Sequence, residues 1–199
     1  VQTDVQNDSS AQAAAQIRTT VLDAEGKAVS KAVTTDVTLA ANSTAEKEQT
    51  LTVNKPALWS TENPNLYYVQ TEVLVDGKVK DAYKTTYGFR YINFDANTGF
   101  SLNGKNVKLK GVCMHHDQGA LGAASERDAV YRQVKKLKEM GCNAIRTSHN
   151  TPSSVLLEAC NELGMMVMDE TFDGWAFPKN GNSQDSVSYT HLTLPTNRE

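Results

Sequence analysis

The hydrophobic rhythm of the chain changes once, near residue 95, and that change limits the possible fold more than any other feature. Before it, apolar and polar residues alternate, as in Ile17-Arg18-Thr19-Thr20-Val21-Leu22, Val33 to Leu39, Thr50-Leu51-Thr52-Val53 and Tyr67 to Val75. Successive side chains of a strand point to opposite faces, so this period of two predicts strands with one buried face. Asp23-Ala24-Glu25-Gly26-Lys27 and Asp76-Gly77-Lys78 separate the runs with residues that tolerate positive φ, which is tight-turn chemistry. Several short strands at this spacing predict an antiparallel β-sandwich in the first 92 residues.

After the change, strand and helix patterns alternate. Phe100 to Lys105 reads as a hairpin and Val107 to Cys113 as a strand. Ser125 then offers a side-chain oxygen to a helix N-terminus, with Asp128 as its capping-box partner. That helix runs to about Met140, with Val130, Val134 and Leu137 at helical spacing and Gly141 placed to relieve left-handed strain at its end. Cys142 to Thr147 predicts a second strand, and Ser153 to Leu163 a second helix with Val155, Leu156, Ala159, Cys160 and Leu163 inward. Gly164 stops that helix, and Met165-Met166-Val167-Met168 is a continuous apolar run, as expected of a strand covered on both faces. Three strands joined by two crossover helices open either an α/β barrel or a doubly wound sheet. Periodicity is lost from Pro178, and residues 183–199 read as a non-native or disordered tail, so His191 is set aside. The chain begins with Val and has neither a basic n-region nor an apolar h-region, and it is expected to be cut from a longer protein.

Composition removes several classes of function. With 199 residues, 39% of them hydrophobic, the chain can bury a core. A net charge of −3 with no long run of like charge leaves no basic surface for nucleic acid, and no stretch approaches the roughly 18 apolar residues of a membrane span. Cys113, Cys142 and Cys160 form neither a CxxC pair nor a zinc spacing, and each sits in an apolar segment, which predicts buried thiols. A doubly wound nucleotide-binding sheet needs a Gly-rich loop after its first strand, and Met114-His115-His116-Asp117 is not one.

In a parallel barrel the functional groups collect at the C-terminal ends of the strands. Here those ends read Met114-His115-His116-Asp117, Arg146-Thr147-Ser148-His149-Asn150 and Asp169-Glu170-Thr171-Phe172-Asp173-Gly174-Trp175. With these residues the chain resembles glycoside hydrolase family 2, which includes β-galactosidases, β-glucuronidases and β-mannosidases. The resemblance rests on Asn143-Ala144-Ile145-Arg146-Thr147-Ser148-His149, with Asn161, Gly164 and Met165 to Met168 after it. It rests equally on Lys110 to Asp117, and on Leu58-Trp59-Ser60 with Pro64-Asn65-Leu66-Tyr67, and it covers roughly residues 10–182.

The resemblance implies an N-terminally incomplete immunoglobulin-like β-sandwich over residues 1–92, followed over residues 93–182 by the first three strands of a (β/α)8 TIM barrel. It implies a fragment of a retaining, β-galactosidase-like hydrolase acting on terminal β-linked sugars. Its two catalytic glutamates would come from later barrel strands, so this chain would be inactive alone. By the same resemblance His115 and His149 line a sugar pocket, Arg146 steadies a catalytic carboxylate, and His116 stands behind them. Asn150 replaces the family's usual Tyr, as in galactosidase-like members, and Trp175 offers a platform for sugar stacking. Asp169 and Glu170 are adjacent on a strand, so only one of them can face the pocket. Residues 171–175 lack the Glu-x-His that holds magnesium in some members, so neither a metal ligand nor a cofactor is expected. The partners implied are a carbohydrate substrate and, for the parent protein, further copies of itself; the compartment stays open between cytoplasm and periplasm. The alternative is a non-catalytic carbohydrate-binding or scaffold module, in which the sandwich is the working part.

Overall fold

The computed structural model describes residues 1–170, which form two units: Val1–Asn93 with Leu102–Gly104, and Phe94–Ser101 with Lys105 onward. The tail over residues 183–199 and Trp175 lie outside the described residues.

The first unit is built from β1 (Gln2–Asn7), β2 (Ala13–Leu22), β3 (Val33–Leu39), β4 (Ser43–Glu48), β5 (Tyr67–Val75) and β6 (Lys78–Tyr87). β1 and β4 pair antiparallel, and a second antiparallel sheet runs in the order β3-β2-β5-β6. β2 follows the expected alternation closely: Ala15, Ile17, Thr19 and Val21 are buried, and Ile17 packs with Val5 of β1 and Val37 and Leu39 of β3. The Asp76-Gly77 turn joins β5 to β6 with φ of 52° and 72°. Two successive positive values give the turn whose twist matches its flanking strands. The loop after β2 closes where the Lys27 N–H donates to Asp23 Oδ1 at 2.8 Å.

Thr50 to Val53, expected as a strand, is not one; Leu51 and Val53 are half-buried without a ladder partner. The strand of that region is β4 instead, whose sequence Ser-Thr-Ala-Glu-Lys-Glu hides it because Ala45 is its only apolar residue. The chain leaves the ladder at Gln49 because that side chain turns inward. Its amide is 3% exposed and fully employed. Thr19 Oγ1 donates to Gln49 Oε1 at 2.6 Å, while Gln49 Nε2 lies 3.0 Å from Ile17 O, 3.2 Å from Val33 O and 3.0 Å from Thr35 Oγ1. One buried amide thus ties β2 to β3 from inside.

After β6 the chain forms a small three-stranded sheet in the order β7 (Ile92–Asp95), β8 (Gly99–Leu102) and β9 (Lys105–Asn106). Asn103 and Gly104, both with positive φ, make the turn of the expected hairpin.

The second unit contains β10 (Gly111–Met114), α1 (Arg127–Glu139), β11 (Ala144–Thr147), α2 (Ser154–Leu163) and β12 (Met166–Met168). The three strands pair parallel in sequence order, and Val130, Val134, Ile145, Leu156 and Cys160 form the core between sheet and helices. α2 begins as expected, with Ser153 Oγ accepting from the Leu156 N–H, and ends at Gly164 with φ of 70°. α1 does not. Its N-cap is Glu126, whose carbonyl accepts the first helical bond from Val130, so Ser125 lies outside the helix and the capping box is not formed. Asp128 still sits in the first turn, where the helix dipole favours a carboxylate. β10 also starts late, at Gly111, because Asn143 ties up the backbone before it: the Lys110 N–H donates to Asn143 Oδ1 at 2.8 Å and Asn143 Nδ2 to Lys108 O at 3.0 Å. Met168 is 56% exposed, so the run from Met165 is not covered along its whole length among the described residues.

Gly111 is fixed by contact. A Cβ there would lie 2.5 Å from the Ala144 carbonyl oxygen, a backbone atom that cannot swing away. Gly111→Ala is therefore expected to destabilise the second unit by about 1–3 kcal/mol, as overpacking does. In the first unit Gln49→Ala should cost about 2–4 kcal/mol, because it strands buried partners. Urea melts followed at each unit's own aromatic or amide signals would check both, and an unchanged midpoint would refute either.

Candidate functional site

The parallel register decides which strand ends meet. Cys113 of β10, Arg146 of β11 and Met168 of β12 stand opposite one another, and the loops that follow carry His115, His149 and Glu170. On β11 the neighbours Ile145 and Thr147 are buried, 1% and 2% exposed, so Arg146 between them points to the other face.

On that face the chain assembles a cluster. Arg146 Nε donates to Glu170 Oε1, and His149 Nδ1 lies 3.0 Å from Glu170 Oε2. The imidazoles of His115 and His149 meet edge to face with centroids 5.8 Å apart. Arg146 also reaches Cys113 Sγ from Nη1 at 3.5 Å. Glu170 is anchored from behind, its N–H donating to the Thr147 hydroxyl at 3.0 Å. Three sequence-predicted residues, His115, His149 and Arg146, are thus brought together; Asn150 is exposed beside them.

Glu170 joins them, although the sequence left it undecided against Asp169. The register decides it: Met168 pairs with Arg146, and two residues further on Glu170 has the same parity, so it falls on the Arg146 face.

Electrostatics follow from these contacts. Partial desolvation acts to raise the Glu170 pKa, but the hydrogen bonds from Arg146 and His149 outweigh it and hold the carboxyl below its ordinary value. The buried Ser148 hydroxyl makes no hydrogen bond of ordinary geometry to nitrogen or oxygen. Its approach to Cys113, followed by that of Arg146, lowers the thiol pKa, whereas burial pushes Cys160 up to about 12. Cys113 is exposed, which corrects the expectation that all three thiols are buried: it shares the outward face with Arg146, not the core face with Ile145.

His116 lines, together with His115, Met114, Val130, Thr147 and Leu156, a cavity of about 30 Å³, room for about one water and not for a sugar ring. Among the described residues no group of three His, Cys, Asp or Glu side chains could hold a metal ion, and no helix is long and apolar enough to cross a membrane.

A strand-rich unit followed by parallel strands that present His, Arg and Glu at their C-terminal ends has the layout of α/β enzymes, whose sites gather at that end of the sheet. Residues 1–90 match the profile of Glycosyl hydrolases family 2, and residues 96–195 match that of the Glycosyl hydrolases family 2 TIM barrel domain. The chain belongs to glycosyl hydrolase family 2. It is 44% identical over 160 residues to a β-galactosidase of Bacteroides ovatus, covering 80% of this chain and 19% of that protein. It is 35% identical over 121 residues to a β-glucuronidase of Bacteroides fragilis, covering 60% and 17%. A crystal structure of a family 2 member from Bacteroides cellulosilyticus superposes with a TM-score of 0.84 at 40% identity, covering 94% of this chain and 25% of that one. The Bacteroides uniformis β-glucuronidase gives 0.82 at 33% identity, covering 93% and 22%. The chain therefore spans about a fifth of the length of the curated relatives it matches.

The thiols provide a test of the cluster. The thiolate is the nucleophile, so Cys113 should react with iodoacetamide near pH 8 well before Cys160, which should label only after unfolding. Arg146→Met should slow the Cys113 reaction several-fold, because it removes a positive neighbour that favours the thiolate. Peptide mass spectrometry reads both rates, and equal labelling of Cys113 and Cys160 would refute the assignment.

Proposed function

We propose that this chain is part of a retaining glycoside hydrolase of the β-galactosidase-like kind, acting on terminal β-linked sugars, and that it supplies one wall of the sugar pocket. On this reading residues 1–92 are an immunoglobulin-like β-sandwich and residues 93–182 the first three strands of a (β/α)8 barrel. The observation that carries the reading is the meeting of His115 and His149, edge to face, at the C-terminal ends of adjacent parallel strands, with Arg146 beside them. Imidazole is rigid and can donate or accept a hydrogen bond at neutral pH, which suits recognition of a sugar's hydroxyls. Relatives named β-galactosidase and β-glucuronidase both match the chain, at 44% and 47% identity, and support a β-glycosidase of this kind. Asn150, and Trp175 beyond the described residues, complete the proposed wall.

Retention needs two carboxyl groups about 5 Å apart, one as nucleophile and one as acid/base. Glu170 does not serve, since both of its oxygens are held by protein cations or donors. The pair would come from strands after β12, and the chain's own groups bind and orient.

Two assays test this. The 199-residue chain should release no nitrophenol from aryl β-galactoside or β-glucuronide above background. In the complete reading frame that carries this segment, His149→Ala should lower kcat/KM on aryl β-galactoside by about 10- to 100-fold, the worth of one or two good hydrogen bonds. Turnover by the isolated chain, or an unaffected His149→Ala enzyme, would overturn the proposal.

A further inference from the structure

The contacts around His149 contain a conflict of hydrogen-bonding roles. Its Nδ1 lies 3.0 Å from Glu170 Oε2 and 3.4 Å from Arg146 Nη2. A carboxylate can only accept and a guanidinium can only donate, so a neutral ring cannot satisfy both through one nitrogen. With the proton on Nδ1 the Glu170 contact is a charge-assisted bond of good length; with the proton on Nε2 two lone pairs would face each other at 3.0 Å, and only the longer Arg146 approach would be gained. The first arrangement wins. Glu170 cannot relax away from the choice, because Arg146 Nε holds its other oxygen and the Thr147 hydroxyl, on a side chain only 2% exposed, holds its backbone N–H.

We propose that Glu170 is a positioning residue that fixes neutral His149 as the Nδ1–H tautomer, leaving Nε2 as a hydrogen-bond acceptor. This rests on the reading of His149 as part of the sugar pocket and deepens it. A ring in this state accepts a hydrogen bond from a ligand O–H and repels a carboxylate oxygen. At His149 the site is therefore built for a neutral polyol hydroxyl, not for the acid group of a uronic acid. A histidine side chain free in water prefers the opposite tautomer, with the proton on the nitrogen remote from the backbone, so the state is one that Glu170 must impose.

The test is the two-bond proton–nitrogen correlation spectrum of the full chain labelled with nitrogen-15 histidine, taken at the alkaline limit of the imidazole titration. His149→Gln identifies the signals. His149 is expected to show a pyrrole-like Nδ1 and a pyridine-like Nε2; the reverse pattern overturns the proposal without any variant. Glu170→Ala should then reduce the Nδ1–H to Nε2–H ratio by about tenfold, and Glu170→Gln, which keeps the shape but offers both a donor and an acceptor, should give a mixture. Arg146→Met, which releases one oxygen of Glu170 but leaves its Thr147 anchor, should lower the ratio less than Glu170→Ala does. Survival of a pure Nδ1–H state in a folded Glu170 variant overturns the positioning role. No sugar is present in the sample, so this result stands or falls separately from the nitrophenol assays.

Discussion

The candidate site depends on the parallel register of β10, β11 and β12. Side chains alternate along each strand, so a slip of one residue would exchange Arg146 for Ile145 or Thr147 and turn the cationic face into the apolar one. The register is held from both sides. Gly111 admits the Ala144 carbonyl at a distance no side chain would allow, and Asn143 bridges to the backbone of Lys108 and Lys110 just before the ladder begins. On the helix side, Ile145 is seated among Val134, Leu156 and Cys160, and burying a side chain of that size is worth about 1.5–3 kcal/mol. Packing under the sheet therefore determines what chemistry stands on top of it.

From that register the electrostatics follow. Arg146 has three neighbours on its face, Cys113, Glu170 and His149, each able to respond to a positive charge. It draws the carboxylate into place and favours the Cys113 thiolate, and the carboxylate then orients the imidazole. The order matters: Glu170 lies two residues past β12, where nothing in the strand itself fixes a side chain, so its position comes from Arg146 and from Thr147.

Much of this was legible in the sequence where a local rule and the tertiary structure agree. Val130, Val134 and Leu137 declare α1, and Ser153 and Gly164 bound α2, because their caps act within one turn of chain. The misses fall where a distant partner decides. Thr50 to Val53 alternates well but has no strand to pair with, whereas the polar β4 pairs because β1 lies alongside it. β6 has every residue exposed and is held by β5 through a two-residue turn, so a hydrophobic pattern is absent from it. In the site, His115, His149 and Arg146 stood out by residue type and position. Glu170 was missed because the choice against Asp169 depends on the register with β11, which the sequence states only once the pairing is known.

The engagement of Glu170 also bears on where the chemistry of such a site can lie. A nucleophilic or acid/base carboxylate must present an oxygen to the substrate, and both oxygens of Glu170 face Arg146 and His149. Freeing one would leave Arg146 or His149 short of a partner in a half-buried setting, a cost with no gain before substrate arrives. The cluster is better matched to ground-state recognition than to bond cleavage. Groups that bind substrate and transition state equally lower KM without speeding the chemical step. Rate acceleration on this reading must come from carboxylates held by other strands, and the contribution of β10, β11 and β12 is to hold the sugar at a fixed distance from them.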